Sequence, residues 1–268
     1  MKPAPFRYLR PASVAEAVDM LAGHGGEARP LAGGQSLVPL MNLRLARPAA
    51  LVDINPLDEL DDVRVDAEHL VIGALVRHRR LAADPLVARH APLLAEAARW
   101  IGHGAIRTRG TLGGSLAHAD PAAELPCAAA ALDAELVLTG PAGVRVLPAA
   151  GFADGAYSTR LAGAELITAV RVPLAAGARP WGFAELARRH GDFALVLAAV
   201  TAGGEGAATA VLGGAGGVAL RVEGPAAGLA ARCRDACDPA GDVHATAEWR
   251  RAMVEVLVTR AVAGALRC

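Results

Sequence analysis

Residues 29–54, RPLAGGQSLVPLMNLRLARPAALVDI, decide how the start of this chain folds. A short extended run, Ala28 to Leu31, is broken by Gly33 and Gly34. Ser36 to Leu45 follows, with Leu37, Leu40, Met41 and Leu45 on one helical face. Ala50 to Ile54 then reads as a strand, so the unit is strand, glycine loop, helix, strand. Glycine at such a junction lets the backbone approach a ligand closely. Free N–H groups at the start of the next helix favour an anion such as phosphate. Gln35 and Ser36 add an amide and a hydroxyl as donors. An ordinary turn with Ser36 as N-cap uses the same residues.

On the N-terminal side, Ser13 and Glu16 form a capping-box pattern that predicts a helix over Val14–Ala22, closed by Gly23 and Gly25. On the C-terminal side, Val63–Val65 and Leu70–Ile72 read as a hairpin, and Pro92 to Ile101 as a short helix. Residues 102–120 hold five glycines and little apolar periodicity, which predicts loop. Pro121 to Leu132 reads as a helix. Glu135–Leu138 and Val144–Leu147 flank Gly140-Pro141-Ala142-Gly143 as a second hairpin, and Leu166 to Val172 alternates like a strand. After the linker-like PLAAGARP come three strand-like runs, near Trp181–Ala187, Ala194–Ala202 and Ala207–Leu212. The last helix, about Glu248 to Leu266, carries Met253, Val256, Leu257 and Val262 at helical spacing. The fold class is α+β, in at least two domains.

A second glycine-rich segment, Thr111-Leu112-Gly113-Gly114-Ser115, leads through His118 and Asp120 to Pro121. Asp120 is placed to cap the helix at Pro121. Asp120 and Glu124 also suit acceptance of hydrogen bonds from ligand hydroxyls. Neither glycine segment is GxGxxG or a P-loop, and neither is a G-x-S-x-G elbow. The eight histidines form no Ser-His-Asp or metal triad, so no catalytic or metal-binding side chain is expected. Two phosphate-friendly loops without acid–base machinery suit a protein whose chemistry is carried by a bound dinucleotide.

Composition narrows the classes further. The 268 residues include 27 basic and 27 acidic side chains, so no nucleic-acid footprint is expected. Lys2 is the only lysine. The four cysteines are too sparse for a disulfide scaffold and contain no C-x2-C pair, so no iron–sulfur or zinc site is expected in this chain. The opening MKPAPFRYLRP has no apolar leader core. The most apolar stretch, Phe193 to Ala202, has ten residues against the ~20 of a membrane span. A cytoplasmic protein without direct membrane insertion is expected.

Several stretches together resemble a known family: RPLAGGQSLVPLMNLRLARP (29–48), LVDI (51–54), VIGALVRH (71–78), GAIRTRGTLGGSLAHADPAAELP (104–126), ARRHGDFALV (187–196) and WRRAMVEVLVTRAV (249–262). The chain resembles the FAD-binding medium subunit of molybdenum hydroxylases, the group that includes xanthine dehydrogenase and aerobic carbon monoxide dehydrogenase. The resemblance implies a PCMH-type, vanillyl-alcohol-oxidase-like FAD-binding domain over 1–173. FAD would lie between its subdomains, 1–56 and 57–173. A small C-terminal domain, 174–268, would hold a three-stranded antiparallel sheet plus helices. Ala32, Gly33, Gly34, Gln35 and Ser36, with Leu37, would hold the FAD pyrophosphate. Thr111, Gly113, Gly114 and Ser115 would embrace the diphosphate and ribityl region from the other side, with Asp120 and Glu124 as acidic acceptors. Many relatives carry Asp where Glu124 stands. Arg77 stands where relatives often have a small hydroxyl residue, and either reaches a phosphate or lies in solvent. Leu166 either packs near the isoalloxazine or is a strand core residue. The lysine many relatives carry before the Gly191-Asp192 pair is missing from Ala184-Glu185-Leu186-Ala187, and Arg188 is the nearest cation.

The implied function is electron transfer through FAD. The implied partners are a large molybdenum-cofactor subunit and a small subunit carrying 2Fe–2S clusters, as a dimer of heterotrimers. A rival reading is a scaffold that keeps the fold with weak or lost FAD binding.

Overall fold

The computed structural model describes residues 1–266; Cys268 lies outside them. The N-terminal layer contains β1 (Arg7–Leu9), α1 (Val14–Ala22), β2 (Ala28–Leu31), α2 (Leu37–Asn42) and β3 (Ala50–Asp53). Its strands lie in the order β1-β3-β2, with both pairings parallel. Helix α1 has the expected bounds because Ser13 Oγ accepts from Glu16 N at 3.1 Å, while Glu16 closes the cap on Ala12 N at 2.6 Å. Helix α2 is shorter than its apolar spacing predicts. Arg44 turns left-handed at φ 60°, and the N–H groups of Leu45 and Ala46 both fold back onto Leu40 O, leaving Leu43 and Leu45 in solvent.

The second layer contains β4 (Val63–Val65), β5 (His69–Gly73), α3 (His78–Leu81), α4 (Pro85–His90), α5 (Pro92–Trp100), α6 (Gly104–Arg107), α7 (Leu112–His118), α8 (Glu124–Ala131), β6 (Glu135–Gly140), β7 (Gly143–Pro148), β8 (Ala153–Gly155), β9 (Ser158–Thr159) and β10 (Leu166–Pro173). An antiparallel sheet of order β4-β5-β10-β6-β7 confirms both expected hairpins and the strand ending at Pro173.

Two corrections bear on the site. Residues 102–120 are not loop but carry α6 and α7. Thr111 caps α7, and Leu112 and Leu116 bury one face of it, although its glycines dilute the apolar period. Helix α8 starts at Glu124, with Ala123 as N-cap. Asp120 is therefore not its cap: the Asp120 carboxylate accepts from Ala122 N at 2.9 Å and closes a local turn instead.

The third layer follows α9 (Leu174–Gly177) and contains β11 (Trp181–Leu186), β12 (Val196–Ala202), β13 (Ala207–Gly213), β14 (Leu220–Pro225), α10 (Leu229–Ala236) and α11 (Ala247–Ala265). The expected three-stranded sheet is a four-stranded meander, β11-β12-β13-β14. The fourth strand lies half exposed at the edge of a Gly/Ala-rich stretch, so it lacks an apolar signature. Arg221 ties it inward, to Ala130 O and Asp133 Oδ1, both at 2.7 Å. Strand β12 is apolar without alternation because both faces are covered. Val196, Ala198 and Val200 pack with α10 and α11, while Leu197 and Ala199 join the cluster around α8.

The buried stripe of α11 is Arg250, Val254, Leu257, Val258, Ala261 and Ala265, so Val256 faces solvent against expectation. Gly182 on β11 sets that rotation: a Cβ there would lie 1.9 Å from Ala261 O, so the helix approaches through its small side. Among the described residues, no helix is long and apolar enough to cross a membrane.

Candidate functional site

The two glycine-rich segments, about 80 positions apart in sequence, meet in space. Gly33 packs on the backbone of Arg109 and Gly110, where a Cβ would lie 2.2 Å from Arg109 O. Gly34 turns left-handed at φ 69°. This conformation leaves the loop's backbone donors free, while the Gln35 amide donates from Nε2 to Gly33 O at 3.3 Å. The N–H groups of Gly33, Gly34, Gln35 and Ser36 reach no protein acceptor among the described residues. Ser36 sits at the N-cap position of α2, yet its hydroxyl makes no capping bond. The ordinary-turn reading of this segment required that bond. Ala32 and Leu37 flank the loop half-buried.

The second segment is committed differently. Thr111 Oγ1 accepts from Gly114 N at 3.1 Å, and Gly113 N donates to Ala74 O at 2.9 Å. Gly113 has no room for a side chain, since a Cβ would lie 2.6 Å from Ala74 Cβ. Gly114 is exposed, and the half-buried Ser115 hydroxyl has no protein partner among the described residues. Beneath them His78 is a buried wedge. Its Nε2 bonds Thr111 O at 2.9 Å, its backbone N–H donates to Gly110 O, and its ring fills the space a Cβ on Gly110 would need. Burial pushes the His78 imidazole down to about 4, so it is neutral at neutral pH.

A polar chain joins the two segments. Asn55, just past β3, donates from Nδ2 to Ala32 O at 2.8 Å and to Leu31 O at 3.2 Å. Its Oδ1 accepts from Arg77 Nη2 at 2.7 Å, and Arg77 Nη1 donates to Arg109 O at 2.6 Å. Asp53 holds Asn55 from below and itself accepts from the Tyr8 hydroxyl. Arg77 forms no ion pair with a carboxylate among the described residues. Burial, and next the Arg109 charge, lower its pKa, against weaker support from Asp61 and Asp53.

The remaining candidates cluster less tightly. Asp120 lies beside Tyr157, whose hydroxyl is 3.5 Å from Asp120 Oδ2. Glu124 is 7% exposed, and burial, with Asp120 adding repulsion, pushes its carboxyl up to about 7. Across the contact with the third layer, both carboxylate oxygens of Glu185 are buried without a partner. Burial and then Glu124 push that group up to about 8. Leu166 is 3% exposed and belongs to the core cluster of Ile54, Leu60 and Leu75. Arg188, the expected cation, is exposed and lies 3.5 Å from Asp192. Sequence pattern did not flag Asn55, His78, Arg109 or Glu185; the Asn after the strand LVDI was the one available signal.

Comparison with known proteins identifies the kind of site. A family profile described as "FAD binding domain in molybdopterin dehydrogenase" matches residues 4–175. The chain belongs to that family. It is an FAD-binding oxidoreductase subunit of the molybdenum hydroxylase type. The carbon monoxide dehydrogenase medium chain of Hydrogenophaga pseudoflava is 38% identical over the full length of both chains. The 6-hydroxypseudooxynicotine dehydrogenase complex subunit alpha of Paenarthrobacter nicotinovorans is 39% identical over 99% of this chain and 96% of that one. The solved Hydrogenophaga pseudoflava carbon monoxide dehydrogenase superposes with a TM-score of 0.94 at 37% identity, covering 100% of this chain and 99% of that one. Quinoline 2-oxidoreductase from Pseudomonas putida 86 gives 0.93 at 37% identity, with coverage of 100% and 99%.

The residues present fit the family's cofactor. Uncommitted backbone donors at Gly33 to Ser36 and a cation without a carboxylate partner suit a dianionic diphosphate.

Proposed function

We propose that this chain is the FAD-binding electron-transfer subunit of a molybdenum hydroxylase complex. Electrons would come from the 2Fe–2S clusters of a small partner subunit and leave to an external acceptor. A large partner would hold the molybdenum cofactor and oxidise the substrate, in a dimer of heterotrimers in the cytoplasm. The carrying observation is the row of uncommitted N–H groups from Gly33 to Ser36, packed against Arg109 and Gly110. FAD, when bound, supplies the redox-active ring that no side chain here provides.

The chain's own residues bind and orient. Ala32 to Leu37 hold the pyrophosphate, with Arg77 supplying positive charge beside it. Thr111, Gly113, Gly114 and Ser115 form the opposite wall. In that wall Gly113 serves by its close packing on Ala74, and Gly114 and Ser115 by their free surface. Asp120 and Glu124 accept from ribityl hydroxyls, and Leu166 backs the site from the core. The FAD-binding domain spans 1–173 in a PCMH-type arrangement of subdomains 1–56 and 57–173, and 174–268 forms the C-terminal domain.

The deciding measurement is the visible absorption spectrum of the purified chain, alone and with its partner subunits, before and after addition of FAD. Flavin bands that survive desalting are expected. A protein that takes up no FAD in either form favours the scaffold reading, whose sequence motive is the missing lysine before Arg188.

A further inference from the structure

We propose that Asn55 and Arg77 form one clasp that sets FAD affinity by fixing the spacing of the two glycine loops, with Arg77 acting as a positioning residue through backbone carbonyls. This rests on the FAD reading above. Asn55 follows a strand of the parallel sheet and Arg77 follows a strand of the antiparallel sheet, so the clasp joins two separately built layers. The links run in series: Ala32 O to Asn55 at 2.8 Å, Asn55 to Arg77 at 2.7 Å, and Arg77 to Arg109 O at 2.6 Å. Arg109 O is also the atom against which Gly33 packs. One carbonyl thus receives both the clasp and the loop that the clasp positions.

The chemistry of the two side chains matches this task. A planar guanidinium directs two Nη donors at two fixed acceptors, which a lysine ammonium on a flexible stem does not reproduce. Asn55 must donate to one loop and accept from Arg77 at once, and an amide does both. Every acceptor that Arg77 reaches is neutral, so its charge stays available to a diphosphate. Holding both walls in the binding geometry beforehand removes an ordering cost from association.

The test is equilibrium FAD binding by the full chain, in its partner complex if assembly is needed, across a range of salt. Arg77→Met and Asn55→Ala are each expected to weaken FAD at least about tenfold, and the double variant to be no weaker than the worse single. That non-additivity marks two residues acting as a unit. Arg77→Lys keeps the charge but not the two-pronged geometry, so it is expected to lose affinity as Asn55→Ala does while keeping the salt dependence. Arg77→Met should flatten that dependence, and Asn55→Ala should leave it unchanged. Asn55→Asp retains the size but removes the donor to Ala32 O and supplies Arg77 with a carboxylate. It is expected both to weaken FAD and to flatten the salt dependence.

Single variants that lower only the melting temperature while binding FAD like the wild type would overturn the clasp as an affinity determinant. Losses that multiply in the double variant would overturn the series linkage. Wild-type protein that takes up no FAD in any form would instead overturn the FAD reading beneath it.

Discussion

The α-carbon of Gly33 abuts the carbonyl of Arg109 so closely that a Cβ at position 33 would lie 2.2 Å from its oxygen. The obstacle is backbone on a segment already held by Arg77 and His78, so it cannot rotate away like a flexible side chain. Gly33→Ala is therefore expected to cost at least the ~1–3 kcal/mol typical of overpacking. It should also separate the two loops, with a lower melting temperature and a marked loss of FAD retention. Gly34→Ala, strained at φ 69° but facing only the side chains of Val38 and Leu31, is expected to cost about 1 kcal/mol.

Thr111 caps α7 through Gly114 N at 3.1 Å. Thr111→Ala removes that bond in a buried position and is expected to cost about 1 kcal/mol of stability by chemical denaturation. Thr111→Ser keeps the hydroxyl and should recover most of it.

His78 is held neutral by burial, with a pKa of about 4 against an ordinary 6.5. Between those values the unfolded chain binds a proton that the folded protein refuses, so stability falls as pH drops from about 6.5 towards about 4. Melting temperature followed across that window should decline less in His78→Gln than in the wild type. FAD release on acidification should follow the same window, because the imidazole bonds Thr111 O and packs against Gly110.

Glu124 and Glu185 behave with the opposite sign. Burial raises their carboxyls to about 7 and about 8 from an ordinary 4.5, with Asp120 adding repulsion at Glu124 and Glu124 adding it at Glu185. As pH rises from about 4.5 towards those values, the unfolded chain has already released protons that the folded protein keeps, so stability declines over that range. Glu185→Gln should flatten this decline and leave the protein more stable than wild type near pH 8. An unchanged alkaline slope in thermal melts would show that Glu185 does not carry it.

The fold was legible where side-chain spacing reports on one solvent-facing surface. Helix α1 has its predicted bounds because both capping partners lie within the helix's own first turns. The strand–glycine–helix–strand unit and both hairpins announce themselves through local turn chemistry. Illegible elements lacked such a local signal. Helix α7 is rich in glycine and alanine, β14 is a half-exposed edge, and the buried face of α11 was chosen by close approach at Gly182.

For the site, sequence alone determined which backbone segments have the freedom to approach a ligand. AGGQS and TLGGS are spelled out in residues that tolerate unusual backbone geometry. Only tertiary structure decided how those segments are used. Gly33 and Gly113 are glycines because Arg109 and Ala74 lie against them, whereas Gly34 answers to its own dihedral angle. Arg77, ambiguous between a phosphate ligand and a solvated side chain, donates to two neutral carbonyl-type oxygens from different parts of the chain. The physical reason is sequence distance. Ala32, Asn55, Arg77 and Arg109 interact through side chains and carbonyls brought together by two different sheets, and no local periodicity encodes such a meeting.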